Sequence, residues 1–239
     1  YELTGEKVTF SRLVDPCFAI VFAVTNAAAP PRGGVSCFLV DQDTDGFEIA
    51  GTAERVGWEA RVRRPLLLRF VQCKVTTDQL LGEEGKAFQL ARRWLPGRRI
   101  VRAARAVGVA TRILDECGIQ ARTWTAFGQI ISGRPSIQGA LGDIAARIHA
   151  TRLAVYEAAW KDEQGQPVER EAAMAKLLST ELVHFVADNA AHIFTGPAYV
   201  GGLPLERFCR NAISQSLTDQ SLQLQRTIIA RDVLQGLKF

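Results

Sequence analysis

The chain has 239 residues, 47% of them hydrophobic, which is enough for one large or two modest domains. A net charge of +4 is too weak to point to nucleic acid, though it suits a substrate carrying phosphates. Five cysteines without CxxC spacing (Cys17, Cys37, Cys73, Cys117, Cys209) and three scattered histidines (His149, His184, His192) argue against a disulfide frame and a metal site, and for a reducing compartment.

In chain order, "KVTFSRLV" and "CFAIVFAVTN" read as strands, short and rich in β-branched and aromatic residues, and the turn formers of "AAAPPRGG" follow them. "VSCFLVD" is a third strand, closed by the loop "QDTDGF"; "TAERVG" and "PLLLRFVQCKV" complete the set. From "LLGEEGKAF" onward the period changes to 3.6. Ile100, Ala103, Ala104, Val107, Ala110, Leu114, Cys117 and Ala121 recur at three- and four-residue steps. Ile137, Leu141, Ile144, Ile148 and Val155 do the same, as do Leu178, Leu182, Val186 and Ile193. Each of these helices should run about 24 to 30 residues, a length typical of bundles. Four long helices and a short C-terminal one are expected from about residue 84. The reading is therefore α+β: an antiparallel β segment, a partial barrel, over 1–78, then an antiparallel helical bundle over 79–239. So few strands leave unpaired edges, and an N-terminal part, either removed or supplied by another polypeptide, is expected to complete them. No stretch approaches a membrane span and Tyr1 does not begin a signal peptide, so the expected location is cytoplasmic.

Near the end, "SLTDQSLQLQR" places Asp219 ahead of a run with helical spacing. An Asp there can cap the helix by accepting hydrogen bonds from the first-turn amides. It can equally be an acid group with chemistry to do.

Several segments, in order, resemble the acyl-CoA dehydrogenase family. "YELTGEKVTFS" is similar to the family's "Y-x-LNGxKxWIT", "FLVDQDTDGFEI" to "FLV…GF", and "LLGEEGKAFQLA" to "LGxxGxGF". "RAVGVATRILD" followed by "ARTWTAFGQII" resembles "AVGxAxxALx…AxxRxxFGxxI", and "IQGALGDIAARIHATRLAVYEAAW" resembles "IQxxLADMxxxIxAARxLxxxAAW". "FTGPAY…LPLERFCRNA" and "LQLQRTIIAR" correspond to "FGGxGY…xPxERxxRDA" and "SEIQRxIIAR". The family's N-terminal helical domain and the early half of its β domain have no counterpart in this sequence.

The resemblance implies a tetramer, FAD, and α,β-dehydrogenation of an acyl-CoA thioester, with electrons passed on to an electron-transferring flavoprotein. A carboxylate removes the α-proton while the β-hydrogen leaves as hydride to the flavin. Two hydrogen bonds to the thioester oxygen stabilise the enolate-like charge. Laid on "YEGTSEIQR", the segment "TDQSLQLQR" puts Asp219 at the base position. The resemblance further places Thr9, Ser11, Trp124, Phe127, Pro135, His192, Thr195, Gly196, Ser221 and Gln223 at the cofactor, and Arg98, Arg99 and Gln220 at the substrate. Arg98 occupies the family's other base position, cannot abstract a proton, and is expected to pair with Asp219.

Departures from the pattern cluster at the cofactor. The family's ring-side aromatic and Thr are Thr9 and Ser11; its pyrophosphate Arg, contributed to a neighbouring subunit, is Trp124; and its following Gln is Pro135. His192 stands for an amide, Thr195 for a glycine, and Gln220 for the glycine after the base. Each lost charge-assisted contact is worth about 1–3 kcal/mol, against roughly 12 kcal/mol for a nanomolar affinity, so weakened FAD binding is expected. The alternative is a non-catalytic, FAD-poor partner subunit of a heteromeric dehydrogenase.

Overall fold

The computed structural model describes residues 1–9, 17–30, 33–53, 65–200, 204–218 and 220–236. Two of the sequence-predicted site residues, Ser11 and Asp219, lie outside them, as does most of "TAERVG".

Contacts divide the chain into two compact units, 1–55 with 59–95 and 56–58 with 96–239. In the first, β1 (Glu2–Thr9) and β4 (Phe47–Thr52) flank β5 (Leu66–Lys74), all antiparallel, in the order β1-β5-β4. β2 (Phe18–Val24) and β3 (Val35–Asp41) form a separate antiparallel ladder, with Phe22 opposite Cys37. The two layers share one core: Leu3 from β1, Ala19 and Val21 from β2, Phe38 and Val40 from β3, and Leu68, Phe70 and Cys73 from β5. Along β5 the inward alternation of Leu68 and Phe70 would continue at Gln72, yet the next buried side chain is Cys73. A bulge accounts for this. Register slips between Leu3 and Gly5 of β1, Gln72 takes a positive φ of 46°, and the extra residue returns Cys73 to the core. The fourth strand begins at Phe47, inside the stretch read as a loop, because Gly46 turns the chain at φ 83° with its carbonyl accepting from Val71 N.

Helices follow as α1 (Ala87–Thr123), α2 (Pro135–Glu163), α3 (Glu169–Phe194), α4 (Gly196–Val200), α5 (Pro204–Leu217) and α6 (Leu222–Leu234). Three are long, in place of the four expected, because the chain after Thr195 is divided among the shorter helices α4, α5 and α6. α1 reaches 37 residues, longer than its periodic stretch, because it continues through Pro96. Proline removes one helical donor and crowds the preceding turn, and here the helix tolerates both.

In the second unit, α1 and α2 run antiparallel: Arg152 Nη2 donates to Thr111 Oγ1 at 3.1 Å, and Leu141, Gly142 and Ala145 line a groove with Leu114, Gly118 and Arg122. α2 and α3 are antiparallel too, with Lys161 beside Glu171 and Arg147 over the Phe185 ring at 4.1 Å. Their common core holds Ile100, Ala103, Val107, Ile113, Cys117, Ile144, Ile148, Val155, Leu182, Val186 and Ile193. Two residues assigned to the apolar stripes face outward, Ala104 and Leu178, the latter 42% exposed. A 3.6-residue period drifts across a long helix, so a stripe read by three- and four-residue steps takes in its margins.

Candidate active site at the turn between α5 and α6

The turn that joins α5 to α6 is held from two sides. Gln215 lies in the last turn of α5, where helix carbonyls lack intrahelical donors. Its carbonyl accepts from Lys176 Nζ of α3 at 2.7 Å, and Lys176 is 1% exposed. One residue on, Ser216 Oγ pairs with His184 Nε2, also of α3. At the other end of the turn Gln220 takes a positive φ of 75°, and its Oε1 accepts from Arg99 Nη2 of α1. α6 then starts under Ser221, whose Oγ accepts from Leu224 N at 3.3 Å. The N-cap is therefore Ser221, which corrects the capping reading of Asp219. Arg226 in the first turns of α6 donates to Glu181 of α3 at 2.6 Å and closes the frame.

Arg99 is 3% exposed while its neighbour Arg98 is exposed, since successive helical residues point about 100° apart. Of the two arginines expected at the thioester, Arg99 is the buried one, and it donates to Gln220 of the turn. Thr218 Oγ1 and the buried Gln225 Oε1 have no hydrogen-bond partner among the described residues. A buried polar atom left so costs about 1–3 kcal/mol, and a ligand or water reaching the turn would recover it.

The other expected cofactor residues stand elsewhere. Thr9 is half-buried at the end of β1, opposite Leu66. Trp124, 41% exposed, follows α1 and leads into a hairpin of β6 (Thr125–Ala126) and β7 (Gln129–Ile130) that sequence reasoning missed. Phe127 (φ 53°) and Gly128 (φ 77°) form its two-residue turn, the positive-φ pair a tight hairpin needs. Phe127 is 95% exposed. Arg134, also missed, donates to Ala126 O at 2.8 Å and carries its guanidinium 5.4 Å from the Phe127 ring centre. Pro135 is the first residue of α2. His192 is exposed, 3.8 Å from Asp188, and Thr195 ends α3 at φ 53°, ψ −128°, followed by the exposed Gly196. Gln223 is exposed on the first turn of α6.

Apart from Thr9, which belongs to the first unit, these groups occupy two ends of the bundle. Roughly 36 Å of α1, at about 1.5 Å per residue, separates Arg99 from Thr123. Within one chain, the turn at Gln220 and the hairpin at Phe127 are too far apart to grip one extended dinucleotide.

FAD, the cofactor the resemblance implies, finds a chemically suitable set at the hairpin end. Exposed Trp124 and Phe127 offer apolar faces, and Arg134 supplies a cation that Trp124 does not. A Cβ added at Gly196 or Gly128 would meet nothing within 4 Å, so the backbone there is open to close approach. Among the described residues no group of three or more His, Cys, Asp or Glu side chains could hold a metal ion.

The family profile "Acyl-CoA dehydrogenase, C-terminal domain" matches residues 85–234. The chain belongs to the acyl-CoA dehydrogenase family. It is 32% identical over 236 residues to the acryloyl-CoA reductase (NADH) of Anaerotignum propionicum, covering 98% of this chain and 59% of that protein. It is 31% identical over 234 residues to the human mitochondrial short-chain specific acyl-CoA dehydrogenase, covering 98% and 56%. Among solved structures, the butyryl-CoA dehydrogenase of Megasphaera elsdenii superposes with a TM-score of 0.88 at 29% identity, covering 98% of this chain and 60% of that one. The chain thus spans less than three fifths of the curated relatives named above. None of its described helices is long and apolar enough to cross a membrane.

Proposed function

We propose that the chain supplies the proton-abstracting turn of an FAD-dependent acyl-CoA dehydrogenase, with Asp219 as the base. The observation that carries this is the frame around the turn: Lys176 and Arg99, buried cations from two helices, hold Gln215 and Gln220 on either side of position 219. A short carboxylate removes an α-proton only from a fixed place, and rigid flanks provide one. Bound FAD would supply the hydride acceptor for the β-hydrogen, which leaves as the Cα–H electron pair forms the new double bond. The chain's own part is to take the α-proton on the Asp219 carboxylate and to fix the backbone beside it through Gln220. Thr218 Oγ1 and Gln225 Oε1 are polar groups near the turn with hydrogen-bonding capacity left.

The active unit is an oligomer. The hairpin that suits FAD and the turn that suits the thioester stand at opposite ends of one bundle, so a complete site needs the hairpin end of a second copy. Leu153, Tyr156 and Trp160, at three- and four-residue steps on α2, are each more than half exposed and give such a copy an apolar face. An electron-transferring flavoprotein as acceptor and a cytoplasmic location belong to the same reading.

Three positions favour a second reading. Trp124 and Pro135 offer no cation where the family's pattern has polar contacts, and Thr195 holds a β-branched side chain at a positive φ. A non-catalytic partner subunit of a heteromeric dehydrogenase would tolerate all three.

Exchange of acyl-CoA α-hydrogens with deuterated water tests the main reading. The protein should catalyse it, and Asp219→Asn should abolish it. Exchange that survives in Asp219→Asn assigns the base elsewhere.

A further inference from the structure

Lys176 lies in the first half of α3 and is 1% exposed, one of the largest fully buried side chains among the described residues. Burying an ammonium is unfavourable unless hydrogen bonds and opposing charge compensate. Its Nζ meets the Gln215 carbonyl, in the last turn of α5, where the helix carries its partial negative charge. The residues around it make a polar layer inside an otherwise apolar interface. Ser179, Thr180, Asn211, Ser214 and Gln215 are all 9% exposed or less. Ser179 and Thr180 both donate to the Lys176 carbonyl, at 3.2 and 2.8 Å, and Ser214 Oγ donates to Asn211 O at 2.8 Å.

An apolar contact between α3 and α5 could slide by a turn and bury nearly the same area. A buried ammonium bonded to the Gln215 carbonyl resists such a slide, because leaving that register breaks a charge-assisted bond inside a low-dielectric interface. Lys176 therefore fixes the register of α5 against α3, and with it the point at which α5 ends and the turn begins.

We propose that Lys176 is a positioning residue for the catalytic turn: it pins the end of α5 so that residues 218–220 start from one place. This rests on the reading of the turn as the seat of the base. Lys176 acts through Gln215 and is distinct from Arg99, which holds the far side of the same turn through Gln220.

Hydrogen exchange on the full chain, as purified, tests it. In Lys176→Met, a near-isosteric change without the ammonium, amides of residues 215–221 should exchange about tenfold faster while those of residues 182–193 in α3 do not change. In acyl-CoA turnover, kcat should fall by about tenfold with KM moving less than threefold, because an unsettled base weakens the transition state more than binding. Lys176→Arg, which keeps a charged donor, should recover most of both. Should Lys176→Met fail to fold, Lys176→Gln keeps a donor without the charge, and its turn amides should exchange about threefold faster. Unchanged exchange in the turn overturns the proposal, as does an increase spread evenly along α3, which would mean a packing role only. A parent protein that dehydrogenates no acyl-CoA defeats the proposed function, while the exchange comparison still decides the role of Lys176.

Discussion

Arg99 donates to Gln220 across 121 positions of sequence, joining α1 to the turn between α5 and α6. The bond opposes a strain. Gln220 sits at φ 75°, where a side chain costs about 1 kcal/mol or more, and its side chain accepts from a guanidinium, a bond worth about 1.5–3 kcal/mol. The second effect is larger. Gln220→Gly removes both, so it should destabilise the protein by about 1 kcal/mol in urea unfolding. A variant more stable than the parent would show that strain outweighs the bond.

Thr195 presents the opposite balance. It has φ 53° and ψ −128° at the end of α3, and its exposed side chain has little packing to lose. Thr195→Gly should raise the unfolding free energy by about 1 kcal/mol, seen as a higher Tm. A lower Tm would mean the side chain makes a contact that offsets the backbone strain.

Glu171, 7% exposed, joins α2 to α3 by accepting from Lys161 Nζ at 2.7 Å and Arg170 Nη2 at 2.8 Å. Burial pushes its carboxyl up, but the hydrogen bonds from Lys161 and Arg170 more than offset this and hold it below the usual glutamate range. With the folded pKa the lower of the two, the unfolded chain takes up the proton first. Its stabilisation is therefore full above the ordinary glutamate pKa of about 4.3 and fades as pH falls through the folded value. Urea midpoints of the parent and Glu171→Gln should differ most near neutral pH and converge in acid. A difference that stays constant with pH would show that Glu171 does not contribute as a carboxylate.

Helix and strand identities were legible in the sequence because burial leaves a period: Val107, Ile144 and Val186 announce their helices without any knowledge of partners. What the sequence hid were relationships between distant residues and choices between near-equivalent neighbours. Asp219 and Ser221 are both good caps; Ser221 is the one because the helical backbone begins at Leu222. Arg98 and Arg99 are the same residue type, and only the facing of α1 tells which of them is buried. Lys176 reads as an ordinary solvated lysine until α5 packs over it. The hairpin at Phe127 escaped because Phe-Gly is not the usual pair for positive φ, and Arg134 was unremarkable until that hairpin placed it beside the ring.

The free thiols divide by depth. Cys37, Cys73 and Cys117 are buried, and burial pushes the Cys117 thiol up to about 12. Cys17 is half-buried near the surface, with its Sγ 2.7 Å from Gln42 Oε1. Since the thiolate is the reactive form, a thiol reagent on the native protein should label Cys17 well before Cys117. Equal labelling rates, read by peptide mapping, would contradict the packing described for α1.

If the chain works as part of a flavin-dependent acyl-CoA dehydrogenase, the flavin's own absorbance will report it. Purified without air and mixed with an acyl-CoA, the protein should be yellow and should bleach as the flavin takes up hydride. Asp219→Asn should stay yellow and fail to bleach. A colourless protein that takes up no added FAD would contradict the account and leave the partner-subunit reading standing.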